Sequence, residues 1–395
     1  MKHAQPRLDR LGAYPFERLA RLLDGLEQPA GLEPIDAGAG EPRLPRPAFV
    51  DEVLNRSLDG FSRYPPSRGA RFLREAAARW LMRRYDLPRV DADTQVLAAN
   101  GTREALFAVA HALVNPEAGE PRPTVLMPNP MYQIYLGGAV TAGAEPVLMP
   151  CAPDTGFAPD LDAVRDEDWA RAAFIYVCSP SNPTGWVADA AWYERLLELA
   201  DRHDFFIVAD ECYSEIYRDE PPLGLLEACA LLGRHDFSRC LVMNSLSKRS
   251  ALPGLRSGLI AGDARLIARF ARLRSYTGPA TPLPLQHVAA AAWADEAHVQ
   301  ANLATYRESL DAFFAEWGEG APPAGSFFVW LEVGDGKAFA RAAYTQQAVT
   351  VLPGGYLGAE DARGRNPGQA FVRAALVDGP GAAAELARRL KTVRL

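Results

Sequence analysis

The sequence predicts an α/β protein: a large domain with a mostly parallel central sheet flanked by helices, plus a smaller α+β domain. Three observations predict it. Short apolar runs alternate with helical patterns through the middle of the chain, each run is followed by a polar cluster, and the C-terminal part switches to a long helical stretch and two isolated strand-like runs. Strand–helix–strand alternation favours parallel pairing through right-handed crossovers, with helices on both faces of the sheet.

The elements follow in chain order. Residues 1–45 read as an N-terminal arm, with a helix candidate at Pro15–Gly25 and a proline-rich passage, EPRLPRP; the arm joins the smaller domain or packs on a partner subunit. The large domain is expected over residues 46–285. Within it, Arg71–Tyr85 carries apolar residues at helical spacing. Strands are expected at Thr124–Met127, Phe174–Val177, Phe205–Ala209, Cys240–Asn244 and Ser257–Ala261, with a helix at Trp192–His203 between the second and third. The small domain is expected over 286–395. It reads as one long helix, about Pro284–Glu316, followed by strands in PPAGSFFVWLEV and QAFVRAALV.

Composition narrows the function. The 395 residues are 48% hydrophobic and 23% charged, which is ordinary for a globular chain able to bury a core without staples. Lys plus Arg is 42 against 49 Asp plus Glu, a formal charge of −7, which weighs against nucleic-acid partners. No apolar run is long enough to span a membrane, and the N-terminus lacks the apolar core of a signal peptide. Five cysteines with no C-x-x-C pair fit reduced thiols, hence a cytoplasmic location, better than a disulfide framework. Nucleotide, P-loop, zinc-protease and hydrolase-elbow motifs are absent from the sequence.

In open α/β sheets, ligands gather beyond the carboxyl ends of the strands. Four expected strand ends lead into PNPMYQIY, CSPSNPTG, DECYSEIY and SLSKRSALPGLRSG. Tyr132, in the first, is either core or a stacking plate for a flat ring. Asn182 is a turn former or an amide donor. Asp210 caps a strand or is a buried acid that needs a cation, with Tyr213 three residues on. Ser245, Ser247 and Arg256 suit a phosphate dianion, or form a solvated basic turn. Lys248, among them, is an amine able to add to an aldehyde. Gly101-Thr102-Arg103 opens a helical run whose backbone N–H groups favour an anion; the plainer reading is a helix start with Thr102 as its cap. Arg373 puts a charge inside an apolar run, where it needs an anion such as a substrate carboxylate.

Taken in order, these residues resemble the fold-type I pyridoxal phosphate enzymes, specifically the class I/II aminotransferases. Three stretches, PNPMYQIYLGGAVTAGAEP, SLSKRSALPGLRSGLIAGD and RLDRLGAYPFERL, are most similar to bacterial N-succinyldiaminopimelate aminotransferases. The resemblance implies pyridoxal 5'-phosphate as cofactor, held covalently by Lys248, which then serves as acid and base in the 1,3-proton shift. Asp210 would keep the ring nitrogen protonated. Asn182 and Tyr213 would hydrogen-bond the phenolate oxygen, and Tyr132 would stack on the ring. Gly101, Thr102, Arg103, Ser245, Ser247 and Arg256 would hold the phosphate, with Tyr64 reaching it from the neighbouring subunit of a homodimer with shared sites. Arg373 would clamp the α-carboxylate, and Gly40 would let the substrate come close to the backbone.

The reaction so implied is amino transfer between N-succinyl-L,L-diaminopimelate and 2-oxoglutarate, in lysine biosynthesis. Arg63 or Arg68, near Tyr64, is a candidate for the 2-oxoglutarate tail, against a reading as surface charge. Alternatives are another amino-acid aminotransferase or a C–S β-lyase of the same fold. A cofactor-binding regulator is disfavoured by the acidic charge and by the lack of room for a DNA-binding domain before the first site motif.

Overall fold

The computed structural model describes residues 6–278, 280–361 and 363–395. Strands β1 (Ile35–Asp36), β2 (Val96–Ala99), β3 (Thr124–Asn129), β4 (Glu145–Pro150), β5 (Ala172–Cys178), β6 (Phe206–Asp210), β7 (Cys240–Ser245), β8 (Gly258–Gly262), β9 (Phe328–Glu332), β10 (Val349–Thr350), β11 (Leu352–Pro353) and β12 (Phe371–Ala375) form three sheets among the described residues.

The large sheet has the order β2-β8-β7-β6-β5-β3-β4. Its neighbours pair in parallel except at β8, which runs antiparallel to both β2 and β7. The connections explain this. Helix Ala190–His203 carries the chain back between β5 and β6, and Leu225–Leu231 does so between β6 and β7. Between β7 and β8 there is only the short helix Leu246–Arg249 and a 3₁₀ turn at Pro253–Leu255, too little for a crossover, so β8 returns alongside β7.

Both faces of the sheet are covered, and side chains alternate between them. Ile175, Val177, Ile207 and Ala209 face a core with Trp80, Leu81 and Leu196. Phe174, Tyr176 and Val208 face the other, with Leu106, Val109 and Phe270. Strands buried on both faces read as continuous apolar runs, which is why five of them were visible in the sequence. β2 and β4 were not expected. β2 is four residues long, and β4 is a half-buried edge strand with prolines at Pro146 and Pro150, which only an edge tolerates.

The C-terminal part builds an antiparallel sheet, β11-β12-β9, over its own core of Val329, Leu331, Val372, Ala374, Leu386 and Leu390. The arm joins it through β1, which pairs in parallel with β10. The single helix expected at Pro284–Glu316 is two helices, Leu283–Ala294 and Ala297–Trp317. The first packs on Arg71–Arg84 beside the large sheet, and the second on Pro380–Lys391 beside the small one. The expected boundary at 285 thus falls inside a helix, whereas packing partners change at Asp295–Glu296. Asp295 leaves helical geometry, and its carboxylate accepts from the His298 N–H at 3.1 Å. ADEAH has no glycine or proline to announce such a break.

Candidate active site

A cavity of about 600 Å³ lies beyond the carboxyl ends of β5, β6 and β7, closed on one side by the arm and by β9 and β12. Ser245 ends β7, and its hydroxyl accepts from the Ser247 N–H at 3.1 Å, which starts the short helix carrying Lys248. The Lys248 ammonium donates to the Gly40 carbonyl and lies 5.3 Å from the Phe327 ring centre and 5.8 Å from that of Tyr213. Burial lowers its pKa from the ordinary lysine value to about 8.

Asp210 ends β6 and is 3% exposed. It accepts from the Tyr135 hydroxyl at 2.7 Å and the Cys212 N–H at 3.3 Å, both neutral donors. Burial therefore pushes its carboxyl above the usual range. Among the described residues no cation forms an ion pair with it, so the site offers a buried acid to an incoming positive charge.

Arg256 adopts φ +53° and donates to the Pro253 carbonyl at 3.0 Å and the Asn100 carbonyl at 3.2 Å. Gly101 makes room for it: a Cβ there would lie 2.3 Å from Arg256 Nη2. Gly101 is also the N-cap of helix Thr102–Leu113, so the expectation that Thr102 caps this helix is corrected. Thr102 is the first helical residue, and its hydroxyl contacts the Cys212 thiol at 2.9 Å.

Arg373, on β12, is 4% exposed. It donates to the Asn182 side-chain carbonyl and to the Gly38 carbonyl, each at 2.8 Å, while its Nε has no partner. Burial lowers its pKa to about 10, and no described carboxylate forms an ion pair with it. At Gly40 a Cβ would strike the Phe328 ring, 2.4 Å from Cζ, so packing inside the protein also demands glycine there.

The structure thus brings Gly40, Thr102, Arg103, Tyr132, Asn182, Asp210, Tyr213, Ser245, Ser247, Lys248, Arg256 and Arg373 to one cavity, with Gly101 just behind it. Tyr64 is wholly exposed and outside it. The two tail candidates also lie outside it: Arg63 is exposed, and Arg68, half-buried, donates to the Asp93 carbonyl. Sequence reasoning missed Tyr14, Phe16, Glu41, Cys212 and Phe328. Cys212 lay within the DECY string already singled out; the other four come from the arm and the small sheet, which no strand-end rule covers.

The cavity fits pyridoxal 5'-phosphate by its donor set. The unpaired buried Asp210 suits a pyridinium, the Arg256 guanidinium beside a side-chain-free Gly101 suits a phosphate, and the Lys248 amine with its depressed pKa suits an aldehyde.

Comparison with known proteins agrees. The family model for aminotransferase class I and II matches residues 33–375. The crystal structure of an aminotransferase from Neisseria meningitidis Z2491 superposes with a TM-score of 0.93 at 40% identity, covering 97% of this chain and 98% of that one. Aminotransferase AspB from Helicobacter pylori 26695 gives 0.90 at 33% identity, with 97% and 98% covered. LL-diaminopimelate aminotransferase 2 of Trichormus variabilis is 30% identical, over 88% of this chain and 86% of its own length. LL-diaminopimelate aminotransferase of Gloeobacter violaceus is 30% identical, with 94% and 93% covered. A match over most of the chain, on a cavity with the donors the cofactor needs, makes this protein a member of the class I and II aminotransferases, pyridoxal-phosphate-dependent transaminases.

Proposed function

We propose that the amino donor is a diaminopimelate, N-succinylated or free, that the acceptor is 2-oxoglutarate, and that the reaction serves lysine biosynthesis. The motif resemblance favours the N-succinyl donor, whereas the named relatives are LL-diaminopimelate aminotransferases. The observation that carries an amino-acid substrate is Arg373, a buried guanidinium without an acid, opening into the same cavity as the Lys248 amine; the choice of a diaminopimelate rests on the resemblance and the relatives.

When bound, pyridoxal phosphate supplies the electron sink that lets an amino acid release its Cα proton. The protein's own groups do the rest. Asp210 would hold a proton on the ring nitrogen, because a buried carboxylate is stabilised by an adjacent cation. Asn182 gives its side-chain carbonyl to Arg373, which leaves its amide N–H₂ to donate to the ring's phenolate oxygen beside the Tyr213 hydroxyl. Arg256, Ser245, Ser247 and the N–H groups at the start of helix Thr102–Leu113 would hold the phosphate. Tyr132, which lines the cavity, would pack on the ring face. Arg373 presents two nitrogens to the substrate α-carboxylate. With a pKa of about 8, Lys248 has both charge states accessible near neutral pH, as a group that takes a proton from Cα and returns it must.

We also propose a dimer in which Tyr64 reaches the partner's phosphate site. Leu58, Phe61 and Tyr64 expose large side chains along one short stretch. Light scattering that gives a monomer at assay concentration rejects this.

The donor is tested by mixing cofactor-loaded protein with single amino compounds and following loss of the bound-cofactor absorbance. Either diaminopimelate should discharge the band, as should glutamate, the amino counterpart of 2-oxoglutarate, while other common amino acids leave it. A response confined to common amino acids would reject the donor, and pyruvate and thiol release from cystathionine would point to a C–S β-lyase.

A further inference from the structure

We propose that Arg249 is a positioning residue for Lys248: it clamps the turn that carries the lysine to the end of helix Leu283–Ala294, where packing passes from the large sheet to the small one. That turn has little of its own to hold it. Helix Leu246–Arg249 is four residues long, and a single helical turn loses more conformational freedom than its bonds return. Its backbone gives the Leu246 carbonyl two donors, the N–H groups of Ser250 at 3.0 Å and Leu252 at 3.3 Å. Contacts from elsewhere in the fold must fix the rest.

Arg249 supplies them. Successive helical side chains diverge by about 100°, so Lys248 faces the cavity while Arg249 enters the core. Arg249 is 3% exposed, a buried charge that needs partners. Its Nη1 donates to the Ala292 carbonyl at 2.6 Å, and its Nη2 to the Glu296 carboxylate at 2.7 Å and the Asp295 carbonyl at 3.3 Å. Its guanidinium lies 5.5 Å from the Trp80 ring centre and 5.3 Å from that of Trp293. The Ala292 and Asp295 carbonyls stand where intrahelical donors run out and the helix dipole is negative. A buried ion pair adds little stability over apolar side chains of the same volume. What a planar fork with three fixed partners adds is placement. Arg83 offers a contrast: its Nη2 donates to the Trp293 carbonyl at 3.4 Å, so it caps the same helix from Arg71–Arg84.

The inference rests on the reading of Lys248 as the amine that holds the cofactor and moves the proton. Full-length wild type is compared with Arg249→Met, Arg249→Lys, Glu296→Gln, Arg83→Gln and Lys248→Ala. Hydrogen exchange at the Ser250 and Leu252 amides is followed in the cofactor-free proteins. Single turnovers of the cofactor-loaded proteins with glutamate and with LL-diaminopimelate give a limiting rate and a half-saturating concentration. Arg249→Met should lower the limiting rate about 10- to 100-fold, the effect of displacing a reacting group by about 1 Å, and leave half-saturation within about threefold because Arg373 is untouched. Exchange at the two amides should quicken about tenfold or more. Arg249→Lys keeps the charge but not the fork, and should recover part of both. Glu296→Gln, at a partly exposed side chain, should move both the same way by about two- to fivefold. Arg83→Gln should leave both near wild type.

A lower melting temperature in Arg249→Met and Glu296→Gln with wild-type rate and exchange would make Arg249 a structural charge, and the proposal fails. It fails also if Arg83→Gln slows turnover as far as Arg249→Lys does, since the helix end alone would then suffice, or if exchange quickens while the rate stands. Should Arg249→Met not fold, Arg249→Lys and Glu296→Gln decide on the same criteria. Lys248→Ala keeps two failures apart. Turnover retained there rejects the role of the lysine, and this proposal with it. An inactive Lys248→Ala beside wild-type behaviour in the Arg249 variants rejects the role of Arg249 alone.

Discussion

Replacing Gly101 with alanine should loosen the cofactor through a residue that need not touch it. Gly101 has φ +79° and ψ 155°, a region essentially reserved for glycine, where another residue adds about 1–3 kcal/mol of strain. The new Cβ would also lie 2.3 Å from Arg256 Nη2 and 2.9 Å from its Cζ. Arg256 is exposed, so its guanidinium can swing away at little steric cost, and that movement takes it off the phosphate position. Losing one charge-assisted bond is worth about 1.5–3 kcal/mol, a roughly 10- to 150-fold weaker cofactor. The assay is a pyridoxal phosphate titration of apo protein followed by absorbance, for wild type, Gly101→Ala, Arg256→Ala and the double variant. Arg256→Ala should reproduce the affinity loss without the fall in thermal stability. The double variant should bind no worse than Arg256→Ala alone, because both changes remove one contact. Wild-type affinity in Gly101→Ala, or fully additive losses in the double variant, would refute the reasoning.

Other outcomes are equally specific. Lys248→Ala should lose both the absorbance of covalently held cofactor and all turnover; activity at the wild-type level would contradict its assignment. The folded-state pKa of Lys248 lies below the unfolded one, so between pH 8 and the ordinary lysine range the unfolded chain binds more protons, and folding is favoured as pH rises. In thermal melts of the apo proteins, wild type should therefore gain on Lys248→Met across that window, and a gap constant with pH would show that the amine is not desolvated. Asp210→Asn keeps the shape but removes the charge, and turnover should fall about 10²–10³-fold with cofactor still bound; an unchanged kcat would mean another group protonates the ring. Arg373→Lys should raise KM for substrates roughly tenfold or more, more than it lowers kcat, because a point charge replaces a bidentate fork.

The large sheet was legible because burial on both faces leaves its central strands as uninterrupted apolar runs. The same logic exposed the site, since Asp210, Ser245 and Lys248 follow directly on those runs. The rest needed long-range packing. That β8 is antiparallel follows from the length of one loop rather than from any property of GLIAG. The break at Asp295 rests on a carboxylate reaching the His298 N–H, a local bond that helical periodicity does not register. Tyr14 and Phe328 enter the cavity because β1 pairs with β10 and β12 pairs with β9, contacts that no local pattern in the sequence announces. The role of Gly101 was read as backbone N–H groups for an anion; its other role, clearing space for Arg256, is invisible until residue 256 has been placed.

The Arg373–Asn182 bond joins a strand of the small sheet to a loop of the large one. It is a tether between two bodies, sited where a carboxylate would arrive. A ligand held by the same guanidinium adds rungs to that tether, so occupancy and rigidity rise together. Evolving such a site toward a new substrate therefore involves more than reshaping a wall: any substitution that moves this guanidinium also alters a bond that joins the two sheets.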